Sequence, residues 1–351
     1  MREHVYVVIM AGGKGERFWP LSTPKEPKPF LEILGSRTMI QQTVDRVLPW
    51  VPPTQILVVL GKEHLALARE QLSHLPARNF IVEPMGRDTA ACIGLASLQV
   101  EKQDSEAVMV VIPSDHYIPD SDKFLNTLFT AVEAAQQGSY VLTLGIRPTR
   151  PETGYGYILI GDRKMTLRDQ EVFHVKKFVE KPDLPTATKY VEEGRYYWNS
   201  GMFVWRNKTI QNLLNLHLPA LWQGLERIKP HLGNPEEEEV LKREFQQFQR
   251  ISIDFGVLEK ASDVLMIPAD FRWDDVGTWK ALDRVLPADA DGNIVVGQHL
   301  GVDTRGCIIY AKDTFISTFG ISDLVIVSYQ GKTLICHKEA APDLKKLLQR
   351  L

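Results

Sequence analysis

The chain is poor in cysteine, in unbalanced charge and in long apolar runs, and each shortage excludes something. Its three cysteines, Cys92, Cys307 and Cys336, are odd in number and widely spaced, with no Cys-x-x-Cys pair. That argues for a reducing compartment and against a zinc site. A formal net charge of −3 gives neither nucleic acid nor a membrane surface an electrostatic hold as the main partner. No apolar run approaches the roughly 20 residues that cross a bilayer. The N-terminus runs straight into a strand, with no basic start and apolar leader before it. These features predict a soluble, cytoplasmic protein. Hydrophobic residues make up 44% of the 351, enough for a large core, and the length suits one large and one small domain.

What is present is concentrated in Val5 to Leu31, VYVVIMAGGKGERFWPLSTPKEPKPFL. The apolar run Val5 to Met10 reads as a strand buried on both faces. Gly12, Gly13 and Gly15 follow, letting the backbone turn sharply and bring its N–H groups close to a ligand. Arg17 and Lys28 bracket the loop with positive charge. A buried strand, a glycine loop and two cations describe a phosphate site, for a coenzyme or for a nucleoside triphosphate. A dinucleotide fingerprint needs a third glycine where Phe18 stands, and an ATPase-type loop needs Gly-Lys-Ser/Thr where the chain has Gly13-Lys14-Gly15. Neither motif fits.

Along the chain, strands at Ile56–Leu60, Phe80–Glu83, Ala107–Ile112 and Tyr140–Gly145 alternate with helical patterns at Met39–Leu48, Glu63–Leu75, Thr89–Gln103 and Lys123–Gln137. Near-continuous apolar strands in that rhythm predict an α/β fold with a Rossmann-like, doubly wound, mainly parallel sheet. Its ligands belong beyond the carboxyl ends of the strands, where the glycine loop lies. From Pro148 the pattern changes: Gly154–Ile160, Val172–Val179 and Trp198–Trp205 read as antiparallel strands, and Ile210–Leu232 as one helix. The acidic run Glu236–Glu239 reads as a solvated helix start. Past Leu286, short Val/Ile runs separated by Asp291-Gly292-Asn293, Arg305-Gly306 and Gln330-Gly331-Lys332 predict a small all-β unit, a β-helical or hairpin stack. Pro342–Leu351 reads as a closing amphipathic helix. The expected division is 1–286 and 287–351. A β unit this small is rarely stable alone, so it should pack on the large domain or on a second subunit, and its apolar surface suggests a homodimer built through it.

The order Ala-Gly-Gly-x-Gly-x-Arg, Trp-Pro-Leu-Ser and Pro-Lys-x-Phe-Leu resembles the sugar nucleotidyltransferases, and within them the members that join GTP to mannose 1-phosphate. Further signatures of that family appear in the expected order over residues 5 to 335. The resemblance implies magnesium-dependent attack of the sugar phosphate on the nucleotide α-phosphorus, yielding GDP-mannose and pyrophosphate. Such a reaction asks protein groups chiefly for positioning and charge neutralisation. On this reading Ala11, Gly12, Gly13 and Gly15 bind nucleotide, Arg17 holds the leaving phosphates and Lys28 contacts phosphate, with Lys25 as a nearby competitor. Pro29 stands where the family usually has glutamine. Asp115, in Pro113-Ser114-Asp115-His116, and Asp275, in Trp273-Asp274-Asp275-Val276-Gly277-Thr278-Trp279, match the two aspartates that hold magnesium, an ion satisfied by few carboxylates. His116 reads as structural.

Glu83 opens Glu83-Pro84-Met85-Gly86-Arg87-Asp88-Thr89, where uridylyl and thymidylyl relatives carry glutamine. Guanine presents two adjacent donors that one carboxylate accepts together, so Glu83 would select guanine. Arg87, Asp88 and Thr89 lie where ribose and phosphate should pass, although Asp88 also suits a helix N-cap. Gly154, Glu180 and Asn199 match sugar contacts and Lys181 the neutraliser of the sugar phosphate. Rival readings are the same fold with another pair, such as glucose 1-phosphate with UTP or dTTP, and a non-catalytic sugar-nucleotide sensor. The chain carries no cupin-like isomerase segment of the kind in longer relatives, so interconversion of fructose 6-phosphate and mannose 6-phosphate is not expected.

Overall fold

The computed structural model describes residues 3–13 and 15–350. Lys14 of the glycine loop and Leu351 of the expected last helix lie outside the described residues. The chain forms two compact units, each drawn from separate stretches of sequence. The first comprises Met1–Gly12, Val44–Pro113 and Pro119–Phe271; the second comprises Gly13–Thr43, Ser114–Ile118 and Arg272–Leu351. Among the described residues, no helix is long and apolar enough to cross a membrane.

The first unit is built on nine strands: β1 (Val5–Met10), β2 (Ile56–Gly61), β3 (Phe80–Glu83), β4 (Val108–Pro113), β5 (Val141–Ile146), β6 (Gly156–Leu167), β7 (Gln170–Glu180), β8 (Tyr196–Arg206) and β9 (Val264–Pro268). They form one sheet in the order β3-β2-β1-β4-β8-β5-β9-β7-β6. β3, β2, β1 and β4 are parallel neighbours, as are β5 and β9, while β8 runs antiparallel to β4 and β5. The parallel strands are the near-continuous apolar runs of the sequence, and β1, β2, β4 and β5 are almost wholly buried. That burial is what a parallel sheet covered by helices demands. β6 and β7 pair antiparallel with mixed exposure, as their alternation predicts.

Three local expectations are corrected. The helix expected over Ile210–Leu232 is two helices, Asn207–His217 and Pro219–Ile228. Pro219 cannot continue a helix and pushes Leu218 to φ −133°, ψ 57°. The sequence reading missed the helix Leu184–Glu193, although its signals are present. Asp183 caps it by accepting from the Thr186 N–H at 2.9 Å, a proline opens it, and Gly194 ends it at φ 66°. It also missed β9, a five-residue run, although Ser262-Asp263 before it and Pro268 at its end mark its bounds.

In the second unit, β10 (Ile294–Arg305), β11 (Ile308–Ser322) and β12 (Leu324–Tyr329) lie parallel in succession, and β13 (Lys332–His337) returns antiparallel to β12. Parallel coils make this β unit helical rather than a stack of hairpins. The β12–β13 turn uses Gln330 and Gly331, both at positive φ, 48° and 74°, the geometry that follows strand twist. The expected last helix is a 3-10 turn at Lys338–Asp343 followed by one α-helical turn at Lys345–Leu348. The core joins Ile308, Tyr310 and Val325 to Phe18, Leu31 and Trp279. Trp279 packs tilted against Phe18 and Tyr310, with ring centroids 5.0 and 5.3 Å away, and its indole N–H donates to the Trp19 carbonyl at 3.1 Å. The signature segment after the glycine loop is therefore packed on the β unit.

Candidate functional site

In the second unit the phosphate- and metal-type residues converge on Lys28. Gly15 sits at φ 58°, and a Cβ there would lie 2.5 Å from that of Lys28, so only glycine allows the two segments to approach. Lys28 starts a 3-10 turn with Pro29 behind it, a place where proline costs no hydrogen bond. Its buried ammonium lies 2.9 Å from Asp115 Oδ2 and donates to the Asp275 carbonyl at 2.5 Å. Burial alone would raise the Asp115 carboxyl, but Lys28 and then His116 outweigh it and hold the group below the usual range. Lys25 and Arg17 are exposed. His116 accepts from the Trp273 indole N–H at 3.1 Å, consistent with a structural part.

Asp274 is buried, takes a two-point ion pair from Arg284 at 2.6 and 2.9 Å, and accepts from the Val276 N–H at 2.8 Å. Its backbone exchanges both hydrogen bonds with Tyr117, which places Asp115 beside this turn. Val276, a β-branched residue, is held at φ 46°, a strained conformation of the kind that collects at functional sites. Among the described residues, no cluster of three or more His, Cys, Asp or Glu side chains forms a metal cage.

In the first unit, Ala11 is buried and its N–H donates to Val59 O at 2.8 Å, which carries β1 to exposed Gly12. Gly13 begins the second unit's share of the loop, at φ 103°. Glu83 ends β3, and its side-chain Oε1 is buried with no hydrogen-bond partner among the described residues. Burial, reinforced by Asp88 and Glu63, pushes its carboxyl up to about 8. A buried carboxyl lacking donors is costly, and a ligand with donors would relieve it. Asp88 is not the N-cap the sequence suggested: it stands at φ 69° and accepts from the adjacent Thr89 N–H at 2.8 Å. The Arg87 guanidinium donates to the carbonyls of Phe245 and Gln246 at 2.7 and 3.0 Å. These carbonyls lie at the end of the helix Glu237–Gln247, whose acidic start matches the expectation. The Thr89 hydroxyl oxygen accepts from the Ile253 N–H at 2.8 Å.

The sugar-type residues lie on β6, β7 and β8. Glu180 pairs with Gly156 across the β6–β7 ladder, and a Cβ on Gly156 would collide with Glu180 Oε2. Lys181, at φ 46°, reaches back to Glu180 Oε1 at 3.0 Å. Gly154 is exposed and its N–H donates to Glu152 at 3.1 Å. Asn199 is tied by three hydrogen bonds, one to Asp254 at 2.7 Å. Asp254 was not anticipated. Its only signal is a carboxylate inserted between Ile253 and Phe255 in an apolar stretch.

A mainly parallel nine-stranded sheet, a glycine loop at the carboxyl end of its β1 strand and a parallel β-helix define a class of nucleotide-transferring proteins. The profile of the nucleotidyl transferase family matches residues 6–292, and this chain belongs to that family. Residues 297–351 match the MannoseP isomerase/GMP-like beta-helix domain. Mannose-1-phosphate guanylyltransferase of Escherichia coli K12 is 37% identical over 355 residues, covering 99% of this chain and 73% of that protein. The solved mannose-1-phosphate geranyltransferase of Thermus thermophilus superimposes with a TM-score of 0.89 at 38% identity, over 99% of each chain. A solved Helicobacter pylori mannose-6-phosphate isomerase aligns with a TM-score of 0.63 at 25% identity, over 77% of this chain and 99% of that one.

Proposed function

We propose that this chain transfers GMP from GTP to α-D-mannose 1-phosphate in the cytoplasm, giving GDP-mannose and pyrophosphate. The observation that carries the reading is the 37% identity, over 99% of the chain, to an enzyme named for this activity. A phosphate oxygen of the sugar phosphate attacks the α-phosphorus, the bond to the bridging α–β oxygen breaks, and pyrophosphate leaves. The anomeric C–O bond is untouched and no protein nucleophile is needed.

In this reading the loop N–H groups of Gly12, Gly13 and Gly15 and the side chain of Arg17 bind the leaving phosphates, and Ala11 sets the loop's departure from β1. Lys28 neutralises charge at the phosphate undergoing substitution. Asp115 and Asp275 would hold magnesium. The fit is supported by the Lys28 ammonium, a cation already seated on Asp115 Oδ2 and the Asp275 carbonyl, and by oxygen donors being what a hard cation prefers. Bound magnesium supplies further neutralisation of the triphosphate. Glu83 reads guanine, whose N1–H and 2-amino group would satisfy the carboxyl oxygen that burial leaves without a partner. Arg87, Asp88 and Thr89 border the ribose and phosphates. Gly154, Glu180 and Asn199 bind sugar hydroxyls, and Lys181 neutralises the sugar phosphate.

Residues 1–286 are the catalytic domain in this proposal and 287–351 an accessory β domain through which two copies pair. Exposed Leu300, Val302, Phe315 and Phe319 support pairing, since the β10–β11 register aligns them on one face. Light scattering that gave a monomer would remove the dimer. The reaction is tested by pyrophosphate release with magnesium, crossing GTP, ATP, UTP and dTTP with mannose and glucose 1-phosphates. Preference for GTP with mannose 1-phosphate, abolished by Asp115→Ala, is expected. Turnover of UTP or dTTP with glucose 1-phosphate would reassign the substrates, and binding without turnover would make the protein a sensor.

A further inference from the structure

Asp254 opens a short π-helical turn, Asp254–Leu258, a departure from α-helical geometry that often accompanies function. Its Oδ1 accepts from Asn199 Nδ2 at 2.7 Å. The other end of that amide is determined independently. The Gly201 N–H lies 3.2 Å from Asn199 Oδ1, and the Thr143 hydroxyl lies 3.3 Å from it. A backbone N–H only donates, so the Asn199 atom facing Gly201 is oxygen and the one facing Asp254 is the NH2 group. Among the described residues, Asn199 is left with one uncommitted N–H. The segment before Asp254 is anchored as well: the Ile253 N–H donates to the Thr89 hydroxyl at 2.8 Å, and the Ala90 N–H to the Ile251 carbonyl at 3.3 Å. Burial, followed by the charge of Glu180, pushes the Asp254 carboxyl up to about 6, opposed by its bond from Asn199. A bond made only for structure has no need of a second carboxylate beside Glu180.

We infer that Asp254 is a positioning residue of the sugar-phosphate subsite, holding the Asn199 amide so that its remaining N–H meets a hexose hydroxyl. The inference rests on the proposed sugar-binding part of Asn199. Steady-state kinetics of Asp254→Ala, Asp254→Asn, Asn199→Ala and the Asp254→Ala/Asn199→Ala double variant test it, with unfolding temperatures measured alongside. Loss of the acceptor that orients the half-buried Asn199 amide predicts that Asp254→Ala raises KM for mannose 1-phosphate about tenfold. KM for GTP and the unfolding temperature should stay in place. Asp254→Asn keeps an acceptor and should recover most of the loss, and Asp254→Ala should add little once Asn199 is alanine. If Asp254→Ala does not fold, Asp254→Ser, too short to reach Asn199, takes its place. Equal changes in both KM values, no change in either, or a full Asp254 effect in the Asn199→Ala background would overturn the inference. If the wild type turns over and Asn199→Ala alone responds, the sugar site stands and only the Asp254 inference falls. A wild type inert on GTP and mannose 1-phosphate removes both.

Discussion

The ammonium of Lys28 stands 2.9 Å from the carboxylate of Asp115 and keeps that carboxylate ionised despite its burial. Replacing Lys28 with methionine keeps the stem and removes the charge. A buried carboxylate stripped of its cation costs about 3 kcal/mol or more, and somewhat less here because Asp115 retains partial exposure. The sign with pH follows from the depressed native value. The pair's contribution is complete above the unfolded Asp value and is lost as pH falls through the lower native one. Lys28→Met should therefore lose about 1–3 kcal/mol near neutral pH, a deficit that shrinks as pH falls through the native Asp115 value, so that its acid limb is shallower than that of the wild type. Urea titrations across pH check both, and an unchanged acid limb would contradict the pairing. Turnover should fall at least about a hundredfold.

Glu83 titrates in the opposite sense. Its native value is raised from 4.5 to about 8, so the ligand-free folded state keeps a proton that the unfolded state releases. Stability attributable to this group is whole below the unfolded value, erodes as pH rises through that window, and reaches its full loss above about 8. Glu83→Gln should be the more stable protein near pH 8 and gain less near pH 5, as melting curves at the two pH values would reveal. The same change should cut the preference for GTP over other triphosphates by about tenfold or more, because a glutamine cannot accept from both guanine donors. Undiminished GTP preference would remove Glu83 as the base reader.

Gly156 is a test of the sugar site that spares the fold. A methyl group there displaces the far end of Glu180, which can swing, and alanine is compatible with a strand. Gly156→Ala should shift stability by less than about 0.5 kcal/mol. It should raise KM for mannose 1-phosphate about tenfold without moving KM for GTP. Isothermal calorimetry with the sugar phosphate offers a direct check, and unaltered affinity would take Glu180 out of the site.

Asp274 and Asp275 should separate cleanly when each is challenged. Arg284→Ala leaves Asp274 buried and unpaired, which costs about 3 kcal/mol in denaturant unfolding. Asp275→Ala should lose turnover and its response to magnesium. Turnover and a magnesium response retained in Asp275→Ala would remove Asp275 as a metal ligand.

Much of the fold was legible because its signals are local. Val5–Met10 and the other continuous apolar runs could only be buried strands, and Gln330-Gly331 marked a tight turn. The misreadings were local conflicts. Pro219 overrode a long helical period, and Asp183 and Gly194 marked a helix whose apolar stripe was too weak to notice. At the site, the residue types were legible from motif order, whereas their partners were not. Nothing in the spacing says that Arg284 claims Asp274, or that Arg87 spends its donors on helix-terminal carbonyls.

Sequence alone determined the class of fold, the glycine loop and the chemical identity of the candidate phosphate, base and sugar groups, since these follow from hydrophobic period and side-chain chemistry. Only tertiary structure decided that Gly13–Thr43, Ser114–Ile118 and Arg272–Leu351 make one unit, because burying Phe18, Trp279 and Tyr310 together requires contacts between segments far apart in the chain. It also decided that Lys28 meets Asp115, that Glu83 Oε1 has no hydrogen-bond partner among the described residues and that Asp254 holds Asn199. Burial and hydrogen-bond satisfaction are properties of assembled surroundings, and no single stretch of the chain carries them.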